Sequence, residues 1–167
     1  MAARPGSQAQ RKRPRALESA LGMALIQWAD VMSRSLYPSL AFLHHIPNGG
    51  ARSKTTAGRL KAEGVRSGVW DYFLPVPARI DGAQFMGLYL ELKVPTERNT
   101  KHGGLSASQV RFGEFVAGQG YATVVAYCWT EAQAAISAYL NGQELPFLWL
   151  HKVQHAAPDH GQPGVPM

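Results

Sequence analysis

The sequence holds 167 residues, 46% of them apolar and 17% charged, with a formal charge of +6. That length supports one domain with a proper core and is short for two, and no apolar run approaches the roughly 18 residues of a membrane-spanning helix. A lone cysteine, Cys128, excludes an intramolecular disulfide, and the basic N-terminus lacks the joined apolar segment and cleavage site of a secretory signal, so the expected setting is a reducing cytoplasm.

Residues 1–14, MAARPGSQAQRKRP, are rich in Pro, Gly, Gln and Arg and show no apolar period, the composition of a disordered basic tail. Residues 1–15 carry Arg4, Arg11, Lys12, Arg13 and Arg15 and no acid; of the 17 Lys and Arg, 12 remain against 11 acids in the rest of the chain. Such an arm attracts phosphate backbones through counterion release. A solubilising tail or a targeting peptide has the same composition.

Over residues 16–37, Leu17, Leu21, Ala24, Leu25, Trp28 and Met32 recur at spacings of three and four, which predicts a helix with one core-facing stripe, stopped before Pro38. AFLHHI (41–46) reads as a short strand and PNGG (47–50) as the loop that ends it. SKTTAGRLKAEG (53–64) predicts a short helix closed by Gly64. A strand over 71–76, a turn at Asp81 and Gly82, and a strand over 86–93 form a hairpin pattern. Helix (106–117), buried strand (122–129) and helix (130–140) follow. ELPFLWL (144–150) is apolar and fits an edge strand or a partner contact, and the last dozen residues read as unstructured. The sum is an α/β class fold, a small mixed sheet flanked by helices, in a domain over 15–142 between the tail of 1–14 and a C-terminal extension of 143–167.

In a strand reading of LYLELK (88–93), side chains alternate, so Glu91 and Lys93 share a face. Asp71 opens the preceding strand; if the two strands pair as a hairpin, Asp71 meets Glu91. Adjacent carboxylates repel unless a cation lies between them, and hard oxygen donors suit Mg²⁺ or Mn²⁺. A cross-strand ion pair at a strand end has the same composition and is common. The pattern gains weight from its company: an upstream aspartate, a glycine-rich loop, and a helix beginning at SASQ.

HIPNGGARSKTTAGRLKAEGVRSGVWDYFLPV (45–76), LYLELK and LSASQVRF (105–112), in that order, resemble the VRR-NUC family of the PD-(D/E)XK nuclease superfamily. The resemblance runs over about 18–140 and implies a restriction-endonuclease-like core with Mg²⁺ or Mn²⁺ as cofactor. It implies that Asp71 and Glu91 are metal-binding acids, that the Leu92 carbonyl faces the same metal, and that Lys93 orients or activates the attacking water. Gln109 matches a glutamine near the active site, and Glu18 the glutamate of the first helix that approaches the metal from the side. Two positions depart from the family pattern: Trp70 stands where proline often precedes the aspartate, and Gly22 where a glutamine usually follows the helix glutamate. Glu18 also suits a plain helix N-terminus, and Ser106 with Gln109 makes an S-x-x-Q capping box.

The likeness implies DNA as partner, bound through His45, Asn48, Gly49, Gly50, Arg52, Lys54, Arg59 and Lys61, where glycines let backbone amides approach phosphates and bases supply charge. Stand-alone phage and bacterial members resemble Holliday junction resolvases and act as homodimers. The expected protein is therefore a metal-dependent, structure-selective endonuclease of branched DNA, working in the cytoplasm of a bacterial or phage-infected cell and leaving 5′ phosphates. A less selective flap or duplex nuclease, and a non-catalytic DNA-binding module that kept the fold, are the alternatives. His151 and His155 stand one helical turn apart with Asp159 and His160 close behind, but no helix is well signalled there and no Cys or Glu completes a metal set; Cys128 lacks the basic neighbours of a nucleophile.

Overall fold

The computed structural model describes residues 8–47 and 54–149. Helix α1 (Gln8–Ser33) begins nine residues before Leu17, the first residue of its apolar period, within the segment whose composition suggested disorder. Apolar periodicity detects only the part of a helix that packs, whereas Gln, Ala, Arg and Lys favour helix without any partner. The far end tapers through a turn in which Tyr37 N–H reaches the Met32 carbonyl at 2.9 Å, and Pro38–Phe42 then forms a 3-10 turn. That turn takes up the first two residues of the expected strand, and β1 is the two residues His44–His45.

Helix α2 (Lys54–Ala62) ends as its sequence indicates. Gly64 takes a left-handed φ of 98°, and Val65 N–H reaches back to the Leu60 carbonyl at 2.9 Å, a closure that glycine permits without a Cβ clash. β2 (Tyr72–Leu74) and β5 (Leu88–Leu92) pair antiparallel. The segment between them is a separate two-stranded ribbon, β3 (Ala78–Ile80) with β4 (Ala83–Phe85), on either side of the expected turn. Asp81 and Gly82, with φ of 48° and 82°, make its tip, the conformation that a two-residue hairpin loop needs. Helix α3 (Ala107–Gly118), strand β6 (Ala122–Ala126) and helix α4 (Trp129–Leu140) complete the order.

The main sheet runs β1-β2-β5-β6, with β1, β2 and β5 antiparallel and β6 parallel to β5. The parallel pair requires a crossover, which α3 supplies. One face of the sheet, carrying Tyr72, Leu74, Leu90, Leu92 and Val124, packs with Leu25 and Ala29 of α1 and Ile136 and Tyr139 of α4. The other face, with Trp70, Val125 and Tyr127, packs with Leu105 and with Val110 and Phe112 of α3. β6 is covered on both faces and buried at every residue, as its unbroken apolar run requires. The apolar segment after α4 touches the outer edge of β6 through one bridge, Val124 to Leu148, and a 2.8 Å bond from Trp149 N–H to the Thr123 carbonyl.

Candidate active site

The register of β2 on β5 sets Tyr72 opposite Leu90, so one step further along the ladder Asp71 stands beside Glu91. The two residues interlock. Asp71 N–H donates to Glu91 Oε2 at 3.2 Å, and Leu92 N–H donates to Asp71 Oδ2 at 3.1 Å. Lys93 shares the Glu91 face of the strand, and its Nζ lies 2.7 Å from Glu91 Oε1. Glu91 is 1% exposed and Lys93 8%, so two ionisable groups meet where water is nearly excluded, with the half-buried Asp71 beside them.

Their protonation follows from that crowding. Burial pushes the Glu91 carboxyl up to about 8, and the neighbouring Asp71 charge adds to the effect while Lys93 opposes it. Burial also raises Asp71, held back by the Leu92 N–H, Lys93 and His45. For Lys93 burial works against the ammonium, but Glu91, Asp71 and Glu18 outweigh it and its pKa is raised. The lysine is therefore a firmly held cation, and the crowded carboxyls relieve their repulsion by keeping a proton. This arrangement favours a further cation.

Gln109 joins the group from α3. Ser106 caps that helix: its Oγ accepts from Gln109 N–H at 3.3 Å, and its own N–H donates to Gln109 Oε1 at 2.9 Å. With Oε1 so engaged, and 3.5 Å from Lys93 Nζ, the amide turns its Nε2 to donate to Glu91 Oε1. The capping box and the site contact are thus one device, because the cap sets which end of the amide faces the carboxylate.

Trp70 makes a contact that sequence reasoning missed. Fully buried, it donates its indole N–H to the Gln109 carbonyl at 2.9 Å and meets Trp149 edge-on, 5.5 Å between ring centres. A Cβ on Gly113 of α3 would lie 2.6 Å from its ring, and one on Gly68 would lie 2.6 Å from the Ser108 backbone. The segment before β2 is therefore pressed onto the first turns of α3. A glycine at 113, on the sheet-facing side of an amphipathic helix, was the available sign that a large ring lies there.

On the other side of the acid pair, a cleft of about 680 Å³ is lined by Glu18, Ser19 and Gly22 of α1, by His45, and by Asp71 and Leu92. Gly22 has a steric reason: a Cβ there would come within 2.2 Å of the Tyr72 hydroxyl. His45 sits edge-on to Tyr72 at 5.2 Å. Of the remaining candidates for nucleic-acid contact, Arg59 and Lys61 are exposed on α2, with Arg59 paired to Glu63 at 3.5 Å. Lys54 opens α2. Asn48, Gly49, Gly50 and Arg52 lie outside the described residues, as do His151, His155, Asp159 and His160. Among the described residues no three or more His, Cys, Asp or Glu gather as metal ligands.

A mixed sheet with helices on both faces, bearing paired acids and a lysine on adjacent strands, has the architecture of the PD-(D/E)XK-like fold. Among solved structures the chain is similar to a VRR_NUC domain protein, with a TM-score of 0.59 and 22% identity, over 80% of this chain and 96% of that one. The chain therefore has the fold of a VRR-NUC domain, as its motifs led us to expect. No family model matches it, and no curated protein sequence does.

Proposed function

We propose that the protein is a nuclease of the VRR-NUC type, a metal-dependent, structure-selective DNA endonuclease acting in the manner of a Holliday junction resolvase. The observation that carries this reading is the register-set pair Asp71 and Glu91 with Lys93 2.7 Å from Glu91, on the fold shared with a VRR_NUC domain protein. The residues fit a hard divalent cation: two carboxyls stand beside one another, crowded enough to hold a proton that a bound cation would displace. Asp71 and Glu91 would hold Mg²⁺ or Mn²⁺, with the Leu92 carbonyl and the Glu18 carboxylate as further oxygen donors from the cleft. When bound, the ion supplies Lewis-acid stabilisation of the charge that develops on a phosphodiester under attack by water.

The chain's own residues divide the rest of the work. Lys93, held protonated by its neighbours, fixes the attacking water and offset charge at the phosphate. Gln109 keeps the Glu91 carboxylate in one orientation. His45, Lys54, Arg59 and Lys61 are the described residues that would contact the DNA backbone. A homodimer would present two such sites to a junction with two strands to cut; Met23 and Val31, 59% and 65% exposed on α1, offer an apolar surface for it.

Cleavage of labelled four-way junction, flap and linear duplex with Mg²⁺ or Mn²⁺ tests the proposal. Paired symmetric nicks in the junction, lost in Lys93→Ala and Asp71→Ala, are expected. Equal cutting of all three substrates would keep the nuclease and remove the junction preference. DNA binding without cleavage under either metal would replace the enzyme with a binding module.

A further inference from the structure

The connection from Lys93 to Gln109 is more constrained than a surface loop needs to be. His102, Gly103 and Gly104 all take left-handed backbone, with φ of 56°, 62° and 81°, and for a histidine that conformation is costly and persists only when its surroundings impose it. Here they do. The Tyr127 hydroxyl donates to the Gly103 carbonyl at 3.0 Å, and a Cβ on Gly103 would lie 2.0 Å from that hydroxyl. Tyr127 is itself braced: the Arg98 guanidinium covers its ring at 4.4 Å, and Glu131 pairs with Arg98 while accepting from Tyr127 N–H at 2.9 Å. Glu97, an acid of the loop, is turned back onto the Val94 N–H at 3.3 Å.

What this rigid turn presents outward is positive. Lys101 and His102 join Arg111 of α3 around a cleft of about 600 Å³ floored by Leu105 and Val110, and all three basic side chains are exposed. The cleft belongs to the same first turns of α3 that deliver Gln109 to Glu91.

We infer that the cleft of Lys101, His102 and Arg111 is a second phosphate-binding site, which seats the DNA backbone beside the strand held at the acid pair. This rests on the nuclease reading for its ligand, and it adds a contact surface separate from the basic segment before and within α2. A braced loop suits the task, since a phosphate contact fixes register only if the cation does not move with it. The pairing of a rigid turn with exposed basic side chains gives position from the backbone and charge from the surface.

The test is binding of a short labelled DNA duplex, read by fluorescence anisotropy over a salt series in EDTA so that no cutting intervenes. The Lys101→Ala/Arg111→Ala double variant is expected to bind about tenfold more weakly and to lower the log–log salt slope by about 1.8, two phosphate contacts at roughly 0.9 each. Arg34→Ala, which removes an exposed charge in the turn just past the far end of α1, is expected to leave the slope near the wild-type value. Gly103→Ala keeps every charge but displaces the loop, and it is expected to weaken binding as well. A double variant with wild-type affinity and slope, or one no different from Arg34→Ala, overturns the site. Wild-type protein that binds no DNA overturns it too. Slope loss as expected in a protein that cuts nothing under Mg²⁺ or Mn²⁺ would sink the nuclease reading and leave this site standing.

Discussion

The two flanks of the acid pair are built differently. On the α3 side Glu91 and Lys93 are nearly sealed, Gln109 is locked by its capping box, and Trp70 pins the first turn of that helix through its indole N–H. On the α1 side Asp71 opens onto a cleft shared with Glu18, Gly22 and His45. On the nuclease reading proposed above, the packed flank would hold the reacting groups in place and the open flank would admit a ligand. Rigid support matters most for groups whose geometry must not drift, and space matters where solvent and substrate exchange.

If that division holds, the largest effects come from the shared centre. Asp71→Ala or Lys93→Ala is expected to lower cleavage about 10³-fold, within the range seen for groups acting directly on the reacting atoms, as measured by single-turnover assays. Chelation of the divalent ion is expected to abolish cutting altogether.

The packed flank should show itself next. Gln109→Ala and Trp70→Phe are each expected to reduce activity, by roughly 10-fold or more for the first, as for residues that orient a ligand rather than serve as one. Because the indole acts through Gln109, the double variant should lose little beyond Gln109→Ala alone; strict additivity would break the link. Trp70→Ala is expected to destabilise the fold by about 3–5 kcal/mol, read by urea unfolding, whereas Trp70→Phe keeps most of the packing.

The protonation of Glu91 gives a third handle. Its folded pKa of about 8 lies above the ordinary 4.5, so the folded state keeps a proton that the unfolded chain releases. The stability this supplies is complete below about 4.5 and is lost as pH rises to about 8; the raised Asp71 acts in the same direction. Metal-free protein should therefore melt at falling temperatures across that window, and Mn²⁺ should flatten the slope by favouring the carboxylate. A flat profile without metal would mean that the carboxylates are better solvated than their burial indicates.

The smallest expected effect belongs to the open flank. Glu18→Gln should change activity only a few-fold while shifting the metal concentration for half-maximal rate, a change in the ligand shell rather than its loss. A collapse as large as that of Asp71→Ala would move Glu18 from the rim to the centre.

The parts of the site written in one strand or one hairpin were legible in the sequence. Period-two alternation set Glu91 and Lys93 on one face, and an antiparallel pairing set Asp71 against Glu91, because both are consequences of backbone geometry. The S-x-x-Q pattern likewise announced the cap on α3. What sequence could not show depends on how distant elements cross. The bond from Trp70 to Gln109 joins residues 39 apart, and only the seating of α3 on the sheet brings them together. The early start of α1 escaped for another reason, since an exposed helix end leaves no apolar signature.

Twenty residues separate Asp71 from Glu91 along the chain, yet nothing in the chemistry counts them. The spacing that matters is set by the β2–β5 ladder, and the β3–β4 ribbon stands outside that ladder with Asp81 and Gly82 exposed at its tip. New residues spliced into the tip would change the written distance between the acids without changing their separation in space. The protein therefore carries a ready graft point between its two acids, at which a reporter or an added recognition element can be inserted while the ladder keeps Asp71 and Glu91 aligned.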